Sequence, residues 1–171
     1  MINLEEAVLR KLKTAQHVLC TVESCTGGLV AHSITNVSGA SEIFWGSYVT
    51  YDNSAKLELG VSLKTLEKYG AVSKEVAQEL AECGLKKFAE NPDRSNSTNL
   101  IKPKGWVCIS TTGIAGPTGG TLKKPVGLCF IAVAMTGKKT RVEEFHSVAQ
   151  DRLLIKEQFA MKALEILRGL F

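Results

Sequence analysis

The densest chemical potential in the chain lies in Glu23-Ser-Cys-Thr-Gly-Gly28. Ser24 and Cys25 are adjacent candidate nucleophiles: a hydroxyl that needs a neighbouring base, and a thiol that needs a lowered pKa. Gly27 and Gly28, without Cβ, allow backbone N–H groups to approach a ligand, and a helix N-terminus behind Thr26 favours an anion. The spacing matches neither a Walker A loop nor GxGxxG. A plain strand-to-helix turn, with a serine or threonine as N-cap, carries the same residues.

A Ser-His-Asp triad has little support, because no histidine occupies an evident partner position. A Ser–Lys pair is open if a lysine is desolvated enough to be neutral, against a reference pKa of about 10.4. Lys56 is the candidate base and Tyr51, close by in sequence, a proton relay; the ordinary alternative for Lys56 is a solvated surface charge. Glu23 can orient Lys56 or a substrate group, or make local turn hydrogen bonds. A second Gly/Thr-rich run, Thr111-Thr-Gly-Ile-Ala-Gly-Pro117 followed by Gly119-Gly-Thr121, has glycines and a proline to fix its path and hydroxyls to offer a ligand. Thr111, Thr112, Gly113 and Gly116 are its candidate binding positions. Arg152 and Lys156, at i and i+4 on one helix face, can clamp a phosphate or simply be solvated.

Five cysteines (Cys20, Cys25, Cys83, Cys108, Cys129) and three histidines show no metal-ligand spacing. Three of the cysteines lie in apolar runs and are expected to be buried thiols of a reducing compartment. No metal is expected. Twenty-one Lys and Arg against 17 Asp and Glu give a net charge of +4, with a pI near 8.8. The basic residues are scattered in pairs, not gathered in the basic-aromatic stripe of nucleic-acid proteins, so an anionic small molecule suits the charge as well. No apolar run approaches the ~20 residues that span a bilayer, and the N-terminus lacks a signal-peptide pattern. A cytoplasmic protein without membrane contact is expected.

These groups must be held by elements that the patterning outlines. Asn3, with Glu6 three residues on, caps a first helix, and His17–Val22 reads as a buried strand. The Glu23–Gly28 loop leads into a helix with Val30, Ile34 and Val37 on one side. Phe44–Tyr51 reads as a strand, and Lys56 falls in a short helical stretch. Ser73 caps a long helix with the stripe Val76, Ala77, Leu80, Ala81, Leu85 and Phe88. Residues 91–104 read as an exposed loop, and Trp106–Ser110 as a strand. Val126–Met135 and Thr140–Val148 form a hairpin around Gly137-Lys138. Asp151 caps the last helix. Alternating helices and strands with a late hairpin predict an α/β fold: a three-layer α/β/α sandwich with a mixed, mainly parallel sheet, as one domain over 1–171. Ligands of such sheets bind outside the carboxyl ends of the strands, which makes the two Gly-rich loops opposite walls of one crevice.

The ordered set ESCTGGLVAHSIT, GAS, Y-x-N-x-AK, GAVS-x-E-V-A, TGIAGP-x-GGT and KPVG resembles the CinA C-terminal domain family, the nicotinamide-nucleotide amidohydrolases, from about Val18 to Lys156. The resemblance implies hydrolysis of the carboxamide of nicotinamide mononucleotide to nicotinate mononucleotide and ammonia, in pyridine-nucleotide recycling. It implies no metal or organic cofactor, and a homo-oligomer. Some members carry a larger N-terminal domain; this chain resembles the stand-alone form. By motif position the resemblance makes Ser24 the nucleophile, Lys56 its base and Tyr51 a supporting group, with Thr111 or Thr112 and Gly113 in the second wall. Arg152 would contact the substrate phosphate. Amides of Thr26-Gly27-Gly28 or Thr112-Gly113 would form the oxyanion hole. The chain departs from the family pattern at Gln150 (usually Gly), Lys156 (commonly Arg) and Ser38 (usually Pro). The alternative class is a catalytically idle nucleotide-binding or interaction module, since family names also refer to competence and DNA damage.

Overall fold

The computed structural model describes residues 2–90 and 102–171. The opening helix α1 (Leu4–Ala15) starts where Asn3 accepts from the Glu6 amide at 2.8 Å, as its sequence predicts. Strand β1 (His17–Glu23) follows, buried from Val18 onward. Next come α2 (Leu29–Thr35), a 3-10 turn (Ala40–Glu42) and β2 (Phe44–Val49). Two short helices, α3 (Asn53–Leu59) and α4 (Leu63–Tyr69), precede the long α5 (Lys74–Ala89), whose N-cap Ser73 accepts from the Val76 amide. Strands β3 (Gly105–Gly113), β4 (Leu128–Met135) and β5 (Arg141–His146) lead to α6 (Arg152–Arg168), capped by Asp151. The 91–104 loop expectation lies outside the described residues except for its last three, where the Lys104 amide bonds the Gln16 carbonyl and guides the chain into β3.

The five strands are ordered β2-β1-β3-β4-β5. β1 pairs in parallel with both β2 and β3, and the β3–β4 and β4–β5 pairs are antiparallel. Four strands therefore run one way and β4 the other, giving the mixed, mainly parallel α/β sheet expected. One face packs through Leu19, Val107, Ile109, Ile131 and Val133 against α1, α2 and α6. The opposite face presents Val18, Cys20, Val22 and Cys108 to α5 and its neighbours. Small side chains let α5 settle on β4, where Ala77 and Ala81 meet Ala132 and Ala134. The result is three layers, with apolar alternation on both faces of the central strands supplying two cores.

Three expectations shift. β2 ends at Val49 rather than Tyr51, since Thr50 and Tyr51 leave the sheet to turn into α3. β3 runs three residues beyond Ser110, so Thr111, Thr112 and Gly113 are strand, not loop. The hairpin strands are shorter at their outer ends, at Leu128 and at His146. Among the described residues, no helix is long and apolar enough to cross a membrane.

Candidate active site

The connection from β1 leads to β2 on one side, while that from β2 crosses to β3 on the other, so the carboxyl ends of β1, β2 and β3 lie side by side. Glu23 is level with Val49 on one flank and Thr111 on the other. A cavity of about 270 Å³ opens at this point, the position where ligands enter open α/β sheets. Of the candidate residues, Ser24, Cys25, Tyr51, Lys56, Thr112, Gly113, Gly116 and Arg152 line it.

Ser24 is the first residue past β1, held by its amide on the Thr111 carbonyl at 3.0 Å. Its neighbour Cys25 packs with the core and places Sγ 3.8 Å from that of Cys129. The thiol thus turns towards the interior. All five cysteines are free, and those on strands are buried. Burial pushes the Cys20 and Cys129 thiols well above the usual range, which suits buried apolar residues rather than reactive ones.

Lys56 is only 2% exposed. Asp52 caps α3 by accepting from the Ser54 amide at 2.8 Å and its hydroxyl at 2.6 Å, which fixes the turn facing the lysine. Lys56 Nζ donates to the carbonyls of Thr50 (2.8 Å) and Tyr51 (3.1 Å), with Asp52 O farther off at 3.5 Å. Burial lowers its pKa below that of a free lysine, against smaller opposing effects of the Asp52 charge and Cys25. A neutral amine has two N–H donors, enough for the two short contacts, and its lone pair is then free. Lys56 is therefore no solvated surface charge.

Tyr51 is positioned differently from its sequence expectation. Its carbonyl faces Lys56, while its hydroxyl accepts from Arg152 Nη2 at 2.9 Å. Arg152 also donates through Nη1 to the Gly116 carbonyl. Arg152 and Tyr51 thereby link the end of β2 to the second Gly-rich segment across the crevice mouth. The phenol thus stands at the mouth beside Arg152, with its own O–H still available as a donor.

Glu23, Thr26 and Thr111 lie behind the crevice. The fully buried Glu23 carboxylate accepts from the amides of Gly28 (2.9 Å), Val30 (3.1 Å) and Ala31 (2.8 Å). Hydroxyls of Thr26 (2.7 Å) and Thr21 (3.3 Å) complete its shell. The cap of α2 thus comes from the end of β1, since Gly28 at the N-cap has no side chain to offer. Gly27 and Gly28 take φ of +64° and +98°, in the left-handed region that favours glycine. Their amides are occupied too, Gly27's by Ser24 O at 3.2 Å and Gly28's by Glu23. The turn's amides without a protein acceptor among the described residues are those of Cys25 and Thr26, so of the expected oxyanion donors in this turn Thr26 stays, Gly27 and Gly28 drop out and Cys25 is added. Thr26 and Thr111 join hydroxyls at 2.8 Å. The Thr112 hydroxyl donates to Ala71 O at 2.7 Å and so braces a wall.

Lys156 does not share the crevice with Arg152. Its ammonium sits over the Ser24–Gly28 turn, 3.3 Å from where a Cβ on Gly27 would stand. The crevice also includes Asn53, Ala71, Val72, Ile114, Ala115, Thr118 and Gly119, to which the sequence reading assigned no role. The Y-x-N-x-AK and GAVS runs were the available signals for the first three. Lys56 and Arg152 are the basic side chains that line the cavity, and among the described residues no carboxylate joins them. Among the described residues no cluster of His, Cys, Asp and Glu could hold a metal.

The model of the CinA C-terminal domain matches residues 1–93 and 97–171. This chain belongs to the CinA C-terminal domain family. A CinA-like protein of Chloroherpeton thalassium is 43% identical over 171 residues, covering 98% of the chain and 37% of the relative. One from Thermotoga maritima is 42% identical over 167 residues, 97% of the chain and 36% of the relative. The chain thus spans little more than a third of the length of the curated relatives it matches. The crystal structure of the competence/damage inducible protein CihA from Agrobacterium tumefaciens superposes with a TM-score of 0.81 at 32% identity, over 96% of this chain and 93% of that one. A CinA superfamily protein from Escherichia coli gives 0.82 at 27%, over 98% and 91%.

Proposed function

We propose that this CinA-family domain hydrolyses the carboxamide of nicotinamide mononucleotide. The observation that carries the proposal is a serine hydroxyl and a buried lysine, its ammonium disfavoured by burial, lining one cavity whose mouth holds an arginine. Lys56 takes the Ser24 proton, and the oxygen attacks the amide carbon. The amides of Cys25 and Thr26 receive the developing oxyanion. Protonated Lys56 gives its proton to the departing nitrogen, which leaves as ammonia. Lys56 then takes a proton from water, the hydroxide attacks the acyl-enzyme, and Ser24 leaves with the proton restored.

The Arg152 guanidinium at the mouth, with no carboxylate among the described residues of the lining, favours a substrate with an anionic group, and Arg152 suits a phosphate, which a guanidinium binds in a bidentate manner. Ammonia and nicotinate mononucleotide are to be measured from purified protein beside Ser24→Ala and Lys56→Ala. Wild-type release of both products, abolished in each folded variant, is the expected result. A silent wild-type protein that still binds the nucleotide would replace this proposal with the idle binding module.

A further inference from the structure

The Lys124-Pro-Val-Gly127 segment takes no part in the chemistry above, and Lys124 does not line the crevice. Its side chain nevertheless spans from one wall to the other. Lys124 Nζ donates a 2.6 Å hydrogen bond to the Tyr69 carbonyl at the last residue of α4. The same ammonium lies 3.3 Å from where a Cβ on Gly70 would stand. Carbonyls at a helix C-terminus lack intrahelical partners and attract a cation. Immediately after them come Ala71 and Val72, one wall of the crevice.

The other end of this strap is just as firmly placed. The Lys124 amide donates to Thr121 Oγ1 at 3.0 Å, and its carbonyl accepts from the Thr121 amide at 2.8 Å. Val126 packs so closely on the preceding glycines that a Cβ on Gly116 would come 2.5 Å from its Cγ1. The Gly127 amide bonds the Ile114 carbonyl at 2.8 Å. The strap that carries Lys124 is therefore held to the 114–119 wall by Val126 and Gly127, and the ammonium holds it to the turn that leads into the 71–72 wall. Thr112 braces the latter wall from inside, and at its outer end the Ser73 hydroxyl donates to the Gly70 carbonyl at 2.9 Å next to the Lys124 contact.

We propose that Lys124 is a positioning residue that ties the two walls together, sets the width of the crevice and thereby governs substrate affinity without touching substrate. The affinity part rests on the amidohydrolase proposal; the tie between walls does not. Lys124→Met keeps the apolar stem and removes the ammonium, while Lys124→Arg keeps a cation. For Lys124→Met, KM rises about three- to tenfold with kcat within about twofold, as expected for one partly exposed charge-assisted hydrogen bond. Amide hydrogen exchange quickens in 70–72 and 114–119 together but not in the central strands, and Lys124→Arg moves both readouts back towards wild type. Unchanged exchange in both walls overturns the proposal whether or not the protein turns over nicotinamide mononucleotide. So does a fall in kcat at constant KM in an active protein.

Discussion

Replacing Glu23 by glutamine separates the support of the site from its chemistry. In the native protein Oε2 accepts from Thr26 Oγ1 and the Gly28 and Val30 amides, while Oε1 accepts from the Ala31 amide and Thr21 Oγ1. Glutamine has one acceptor oxygen. With that oxygen in the more crowded place, its NH2 group meets the Ala31 N–H, a donor facing a donor. Thr21 can rotate its hydroxyl to accept, since it already has Ser47 as a partner at 2.7 Å, but a backbone amide has no such freedom. One orphaned buried N–H costs about 1–3 kcal/mol. Losing the negative charge at a buried helix N-terminus adds about 0.3–2 kcal/mol. The sum is roughly 1–5 kcal/mol, or a fall in Tm of about 3–20 °C for a chain of this size. Urea denaturation of wild type and Glu23→Gln, followed by far-UV circular dichroism, measures it. A loss below about 1 kcal/mol would refute the assignment of this carboxylate as the cap of α2.

Further expectations concern the crevice. Burial lowers the Lys56 pKa, so kcat/KM increases with pH, about tenfold per unit below that pKa, and levels off before the free-lysine value of about 10.4. By linkage, the unfolded chain holds this proton more tightly. The lysine's contribution to stability is thus present above pH about 10.4 and is lost as pH falls through the folded pKa; a profile flat down to pH 6 contradicts Lys56 as base. Arg152→Lys forfeits the simultaneous contacts to Tyr51 and Gly116, and steady-state kinetics should give a KM raised about tenfold or more with a smaller change in kcat. The Cys25 thiol faces that of Cys129, so Cys25→Ser is expected to keep turnover within about tenfold, whereas loss on the scale of Ser24→Ala would reassign the nucleophile. Gly113→Ala puts a methyl 2.5 Å from the Leu128 carbonyl, and thermal melts should show about 1–3 kcal/mol of destabilisation.

The layer order follows from patterns that survive without tertiary context, while Ser24 and Lys56, which line one crevice, stand out through the family's motifs rather than through periodicity. Period-2 and period-3.6 apolar spacing, together with caps at Asn3, Ser73 and Asp151, already outline most elements. What escaped has specific causes. The short α4 buries only Leu66 fully and leaves Leu63 exposed, so its apolar face is too thin to stand out. Thr111 and Thr112 look like loop residues because they are polar, yet each hydroxyl has a partner inside the fold. Glu23 caps a helix that begins six residues later, a reach that local capping rules do not cover. Tyr51 is near Lys56 in sequence, but the chain turns between them and carries its hydroxyl to Arg152, a hundred residues on.

The reversed direction of β4 has a consequence for how such a site can diversify. Parallel neighbours need a crossover, and here the helices of the β1–β2 and β2–β3 connections form packed layers, so insertions within those helices would disturb a core. The antiparallel step from β3 to β4 needs none: residues 114–127 leave and re-enter the sheet on the crevice side. Their outermost side chain, Leu122, is fully exposed. Insertions there would reshape the rim around an incoming molecule while Ser24, Lys56 and both cores stay in place, leaving selectivity and stability free to vary separately along one short stretch of chain.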